Sequence, residues 1–137
     1  LNELIETALD IFDNQFINFS YDSNEVLANL DKSQLIRVLT NLVKNAIQSV
    51  PKARDPIVDV YLSSTTTHAI IKISDNGSGI DEENKLKIFE PRFTTKSSGM
   101  GLGLSIISNI VKSFGGSIEF ETKMNIGTTF TITLPKN

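Results

Sequence analysis

Two glycine clusters and a pair of asparagines are the residues of this chain whose types and spacing could do chemistry. Asp75-Asn76-Gly77-Ser78-Gly79-Ile80 directly follows the alternating run 69–74, so a carboxylate stands at a strand end where the backbone turns sharply. Gly99-Met100-Gly101-Leu102-Gly103-Leu104 opens an amphipathic pattern that continues to Phe114. A glycine-rich turn leading into a helix aims several backbone N–H groups one way, with the positive end of the helix dipole behind them; this is a phosphate cradle. The polar, irregular segment between the clusters reads as a loop that closes over a ligand. Asn41 and Asn45 lie four residues apart in a well-patterned helix. Asparagine is poor in a helix interior because its amide competes for backbone hydrogen bonds, so the pair invites a functional reason. Each feature alone has an ordinary explanation: glycine turns punctuate most chains, Asp before Asn-Gly is good turn chemistry, and a solvated helix face accommodates amides.

The elements that must position these groups follow from periodicity. Leu1, Leu4, Ile5, Ala8, Leu9 and Phe12 repeat at helical spacing, which predicts a helix over 1–12. Residues 16–21 and 26–30 read as a strand pair about the turn Asp22-Ser23-Asn24. Asp31 or Ser33 caps the asparagine helix, which runs to about Val50 before Pro51. Its apolar face carries Leu35, Leu39, Leu42, Val43, Ala46, Ile47 and Val50, and its polar face Gln34, Arg37, Asn41, Asn45 and Gln48. Residues 57–62 and 69–74 form an antiparallel pair about the turn 63–67. A short helix spans 81–89, residues 91–98 are irregular, and a second long helix runs from Gly101 or Leu102 to Phe114, stopped by Gly115-Gly116. Strands over 117–122 and 128–134 close the chain, with Phe130, Ile132 and Leu134 on one face and threonines on the other. Strands arriving as adjacent pairs among helices predict an α/β (α+β) two-layer sandwich: a mixed, largely antiparallel sheet, helices on one face, and a flexible lid.

Size and composition narrow the function. A chain of 137 residues, 39% hydrophobic and 21% charged, suits one domain over 1–137 with a single core. A net charge of −3 and the lack of a basic run argue against a nucleic-acid partner. With no cysteine, thiolate catalysis and Cys-ligated zinc are excluded, and a reducing compartment fits. The chain begins at Leu1 and enters helical periodicity at once, so it reads as a piece of a longer protein.

Four stretches together resemble one family. Asn41-Leu42-Val43-Lys44-Asn45-Ala46, Asp75-Asn76-Gly77-Ser78-Gly79, Phe89-Glu90-Pro91 with Phe93-Thr94-Thr95-Lys96, and Gly99-Met100-Gly101-Leu102-Gly103-Leu104 resemble the N, G1, F and G2 boxes of a sensor histidine kinase catalytic domain, in order and at the usual spacing. The resemblance extends to Gly127-Thr128 and implies the ATP-binding fold shared with gyrase, Hsp90 and MutL; Phe93-Thr94-Thr95-Lys96 and Gln48 are most similar to the nitrogen-regulator type. It implies that Asp75 accepts a hydrogen bond from the adenine amino group and that Thr128 shares a water with the base. Asn45 becomes the magnesium ligand, supported by Asn41, since a neutral amide oxygen suits a hard cation that takes its other ligands from phosphate and water. Gly77, Gly79, Gly99, Gly101 and Gly103 let backbone approach the nucleotide, with Ile80, Met100, Leu102 and Leu104 beside them. Phe89 anchors the lid hinge together with Phe93. Lys96, with Thr94, Thr95, Ser97 and Ser98, offers a cation and hydroxyls to the phosphates. Asn41, Asn45 and Lys96 are the catalytic set.

The implied activity is donation of the γ-phosphoryl group of Mg-ATP to a histidine on a separate helical dimerisation and phosphoacceptor domain of the same kinase, which then serves a response regulator. The domain itself is expected to be monomeric and cytoplasmic, with a membrane-anchored parent left open. His68, after three threonines in a hairpin-like stretch, reads as a surface residue and not as the acceptor. Two positions depart from the family pattern. Arg92 stands where a second phenylalanine is common, and Gln48 where many members place a phosphate-directed lysine, a charge that Lys44 or Lys96 would supply. Two alternatives stay open: a gyrase- or Hsp90-type ATPase, disfavoured because those enzymes carry a glutamate where this chain has Asn41, and a degenerate module that binds nucleotide without chemistry.

Overall fold

The computed structural model describes residues 1–9, 17–21, 31–52, 55–80 and 103–136. Helix α1 (Asn2–Leu9) buries Ile5, Ala8 and Leu9 and packs on α2. Helix α2 (Lys32–Gln48) begins where the Asp31 carboxylate accepts from the Gln34 N–H at 3.2 Å, a side-chain cap for an otherwise unpartnered donor. Leu35, Val38, Leu39, Leu42, Val43 and Ala46 form its buried stripe. The helix closes at Ser49, two residues short of Pro51, and Val50 is buried beyond it.

Five strands form one sheet in the order β1-β2-β3-β5-β4: β1 Ile17–Tyr21, β2 Val58–Ser64, β3 His68–Asp75, β4 Ser117–Lys123 and β5 Gly127–Pro135. β1 runs parallel to β2 and every other pairing is antiparallel. The sheet is therefore mixed and largely antiparallel, as the paired strand pattern implies. The expected mate of β1, residues 26–30, lies outside the described residues, and the neighbour observed is β2. Such a parallel pair cannot be closed by a tight hairpin; here the connection between the two strands carries α2.

Strand alternation sorts the side chains. Val60, Ile73, Phe130 and Phe120 stand abreast across four strands, as do Leu62, Ile71, Ile132 and Ile118, and both rows join the core with α1, α2 and the last helix. Tyr61, Lys72 and Glu119 lie on the opposite, solvated face. Helix α3 (Leu104–Ser113) packs on α2 and β4. It ends in a Schellman motif: Gly115 N donates to Lys112 O at 2.9 Å and Gly116 N to Val111 O at 3.1 Å, with Gly115 at φ +78°, a conformation that favours glycine. The helix begins two to three residues later than the sequence pattern suggests, because Gly103 is its extended N-cap. The expected helix over 81–89 and the irregular stretch 91–98 lie outside the described residues.

Candidate functional site

Asp75 is the last residue of β3, in register with Val58 and so on the helix-covered face of the sheet. Its Oδ1 accepts from Gly77 N at 2.8 Å and from Thr128 N at 3.2 Å. Two charge-assisted bonds from different segments fix the plane of the carboxylate at the strand end. Close approach demands both flanking glycines. A Cβ at Gly77 would overlap Ser49 Oγ and lie 2.8 Å from Asp75 Oδ1, and one at Gly127, where φ is +144°, would overlap the Asp75 carbonyl oxygen. Asn76 turns the other way and braces the turn: its Oδ1 accepts from Ile57 N at 2.8 Å and its Nδ2 donates to Asp55 O at 3.1 Å.

The turn 77–80 is held from both sides. On the helix side, Ser78 N donates to Ser49 O at 3.2 Å, and Ser49 Oγ donates to Ala46 O at 2.8 Å. Asn41, Asn45 and Ser49 occur at four-residue steps and so lie on one row of the α2 surface. Because Ser49 meets the glycine turn, Asn45 sits about one helical pitch, roughly 5.4 Å, along the helix from it, and Asn41 one pitch further. Both asparagines are half-buried, whereas Lys44 and Gln48 are exposed. Asn41 Nδ2 donates to Arg37 O at 2.8 Å, so the competition with backbone that makes asparagine a poor helix residue here orients its amide. On the sheet side, Asn125 N donates to Ser78 O at 2.8 Å and Ile80 N to Thr122 Oγ1 at 2.9 Å.

Of the residues singled out from the sequence, Asp75, Gly77, Gly79, Ile80 and Thr128 belong to this one region, and Asn41, Lys44, Asn45 and Gln48 share the C-terminal half of the adjoining helix. Gly103 caps α3 and Leu104 packs against the core. Phe89, Thr94, Thr95, Lys96, Ser97, Ser98, Gly99, Met100, Gly101 and Leu102 lie outside the described residues, as does Arg92. His68 is exposed at the start of β3, its Nδ1 2.7 Å from Thr67 Oγ1, in the hairpin setting anticipated for it. Sequence reasoning missed Ser49 and Thr122. Ser49 was accessible as the next step in the Asn41–Asn45 row; Thr122 emerges only once the β4–β5 register sets it opposite Thr128.

An open mixed sheet, helices over one face, and a strand-end carboxylate clasped between a glycine turn and a helix bearing two amides define a nucleotide-binding α/β sandwich. The chain belongs to the family described as histidine kinase-, DNA gyrase B- and HSP90-like ATPases, whose model matches residues 30–137. The sensor histidine kinase ZraS of Escherichia coli (strain K12) is 35% identical over 143 residues, an alignment covering 100% of this chain and 30% of that protein. Among solved structures, the nucleotide-free catalytic domain of histidine kinase ThkA superposes with a TM-score of 0.85 at 34% identity, covering 99% of this chain and 92% of that one. ThkA in complex with the response regulator protein TrrA is matched with a TM-score of 0.83 at 31% identity, covering 100% of this chain and 40% of that one. The chain is accordingly a histidine kinase catalytic, ATP-binding domain. It spans a third or less of the length of the first curated relatives it matches.

Proposed function

We propose that residues 1–137 act as the catalytic domain of a longer two-component sensor kinase, binding Mg-ATP where α2 meets the 75–80 turn and donating the γ-phosphoryl group to a histidine on a separate helical dimerisation and phosphoacceptor domain. The observation that carries this is the clasped Asp75 carboxylate. An anionic acceptor held rigidly by Gly77 and Thr128 at a strand end suits the exocyclic amino group of adenine. From there the triphosphate would run along the Asn45 and Asn41 row toward the lid, where Lys96, Thr94, Thr95, Ser97 and Ser98 would meet the phosphates.

The donor set fits a magnesium ion that arrives with the nucleotide. Asn45 offers one neutral amide oxygen with Asn41 a turn away. Among the described residues no group of three or more His, Cys, Asp or Glu side chains stands ready to hold a metal with protein ligands alone. When bound, magnesium would neutralise charge on the phosphates, and the acceptor imidazole, itself the nucleophile, needs no base to activate water. Catalysis then rests on positioning. A response regulator is proposed as the downstream partner, supported by the complex that ThkA forms with TrrA. A cytoplasmic location agrees with this chemistry; among the described residues no helix is long and apolar enough to cross a membrane.

The test is a magnesium-dependent ATP titration, followed by mixing with the histidine-bearing domain of the same kinase and γ-labelled ATP. Binding with label transfer is expected. Steady phosphate release without transfer would indicate the gyrase-type ATPase, and binding alone a nucleotide-holding module.

A further inference from the structure

We infer that Thr122 is a positioning residue for nucleobase choice: by accepting the proton of the Thr128 hydroxyl, it leaves Thr128 able only to accept at the adenine end of the site. This rests on the proposed ATP site. Thr122 and Thr128 face each other across the β4–β5 hairpin, with their Oγ1 atoms 2.8 Å apart. Thr128 is 5% exposed. Among the described residues its hydroxyl has no other hydrogen-bond partner, while Thr122 Oγ1 also lies 2.9 Å from Ile80 N and 3.3 Å from Gly127 O.

Counting protons orders the cluster. Each hydroxyl has one proton to give and two lone pairs to receive with. Ile80 N–H can only donate, and Gly127 O can only accept. If Thr122 gave its proton to Thr128, the Gly127 carbonyl would lose this bond and the buried Thr128 proton would have no acceptor. If Thr128 donates to Thr122 and Thr122 to Gly127 O, Thr122 accepts two bonds and donates one, and every proton in the cluster is used. The second arrangement makes one more hydrogen bond from the same atoms, so it prevails.

Its consequence is chemical. Thr128 N is bonded to Asp75 Oδ1, which brings Thr128 beside the carboxylate proposed to read the base. With its own proton committed, Thr128 Oγ1 presents lone pairs only, next to another group that only accepts. Adenine, or a water held by it, can donate to such a pair through its amino group. Guanine carries a carbonyl oxygen at that position and would set acceptor against acceptor.

The experiment measures Kd for ATP and GTP with magnesium in this chain and in Thr122→Val and Thr122→Ser. Valine keeps the shape and removes the hydroxyl; the freed Thr128 proton then becomes available to a carbonyl. The preference for ATP over GTP is expected to fall by about tenfold in Thr122→Val, one hydrogen bond's worth, and to be kept in Thr122→Ser. If circular dichroism shows Thr122→Val unfolded, Thr128→Val carries the test with the same expected fall, because it deletes the acceptor itself. A Thr122→Val protein that retains the wild-type preference, or one that weakens ATP and GTP equally, overturns the inference while leaving the ATP site standing. Wild-type protein that binds neither nucleotide overturns the site and this inference together.

Discussion

At the scale of single residues, the site is a problem in satisfying polar groups where three segments meet. Asp75 Oδ1 receives two backbone donors, and the carboxylate is proposed to receive the adenine amino group as well. Replacing it with alanine removes a charged acceptor, so ATP affinity is expected to fall by about 10- to 100-fold and the preference over GTP to vanish. Isothermal titration with both nucleotides checks this, and retained selectivity refutes the assignment. The substitution also strands the Gly77 and Thr128 N–H groups, so a loss of about 1–3 kcal/mol in stability by urea unfolding is expected alongside. Asn45→Ala should act differently. Affinity measured with magnesium should drop while the weaker affinity measured with EDTA stays put, because the amide is proposed to meet the metal; equal affinities for the variant and the parent under both conditions would dismiss that role.

At the scale of elements, α2 is the part that both builds the core and carries residues of the proposed site. One stripe of it packs on α1 and β3, and the neighbouring row of Asn41, Asn45 and Ser49 runs down to the glycine turn. The two roles should separate by mutation. Asp31→Ala removes the N-cap at the far end and should cost about 1 kcal/mol in thermal or urea unfolding without changing nucleotide affinity. Gly77→Ala drives a methyl group into Ser49 and should weaken both folding and binding. Because the Ser49 side chain is the nearest obstruction, with Asp75 Oδ1 also 2.8 Å away, adding Ser49→Gly is expected to return part of the loss, a non-additivity that a double-mutant cycle reads directly.

At the scale of the whole molecule, α1, α2, α3 and five strands bury a continuous apolar cluster, and the proposed site lies at its edge. Ligand binding should add stability by mass action, about 2.7 kcal/mol at an ATP concentration of 100 times Kd, seen as a rise in melting temperature that requires magnesium. Phosphoryl transfer, as proposed, needs a second, histidine-bearing domain. The same preparation should label its histidine-bearing partner domain and leave His68, exposed in its hairpin, unlabelled.

The sequence alone determined most of the described elements and the chemistry of the turn. Apolar periods of 3.6 and 2 produced both long helices and the β2–β3 and β4–β5 hairpins to within a few residues, because local burial patterns decide them. The Asp75 turn was legible for the same reason: carboxylate, asparagine and glycine are chosen by local backbone demands. The place of β1 was not, since its partner β2 lies far along the chain, with Ile17 opposite Val58, and which strand lies beside another is settled by how helix-covered faces pack. Nor was the contact of Ser49 with Gly77, or the pairing of Thr122 with Thr128 and Ile80. Those depend on distances between segments remote in the chain, and only closing the sheet under α2 and α3 brings them within hydrogen-bonding range.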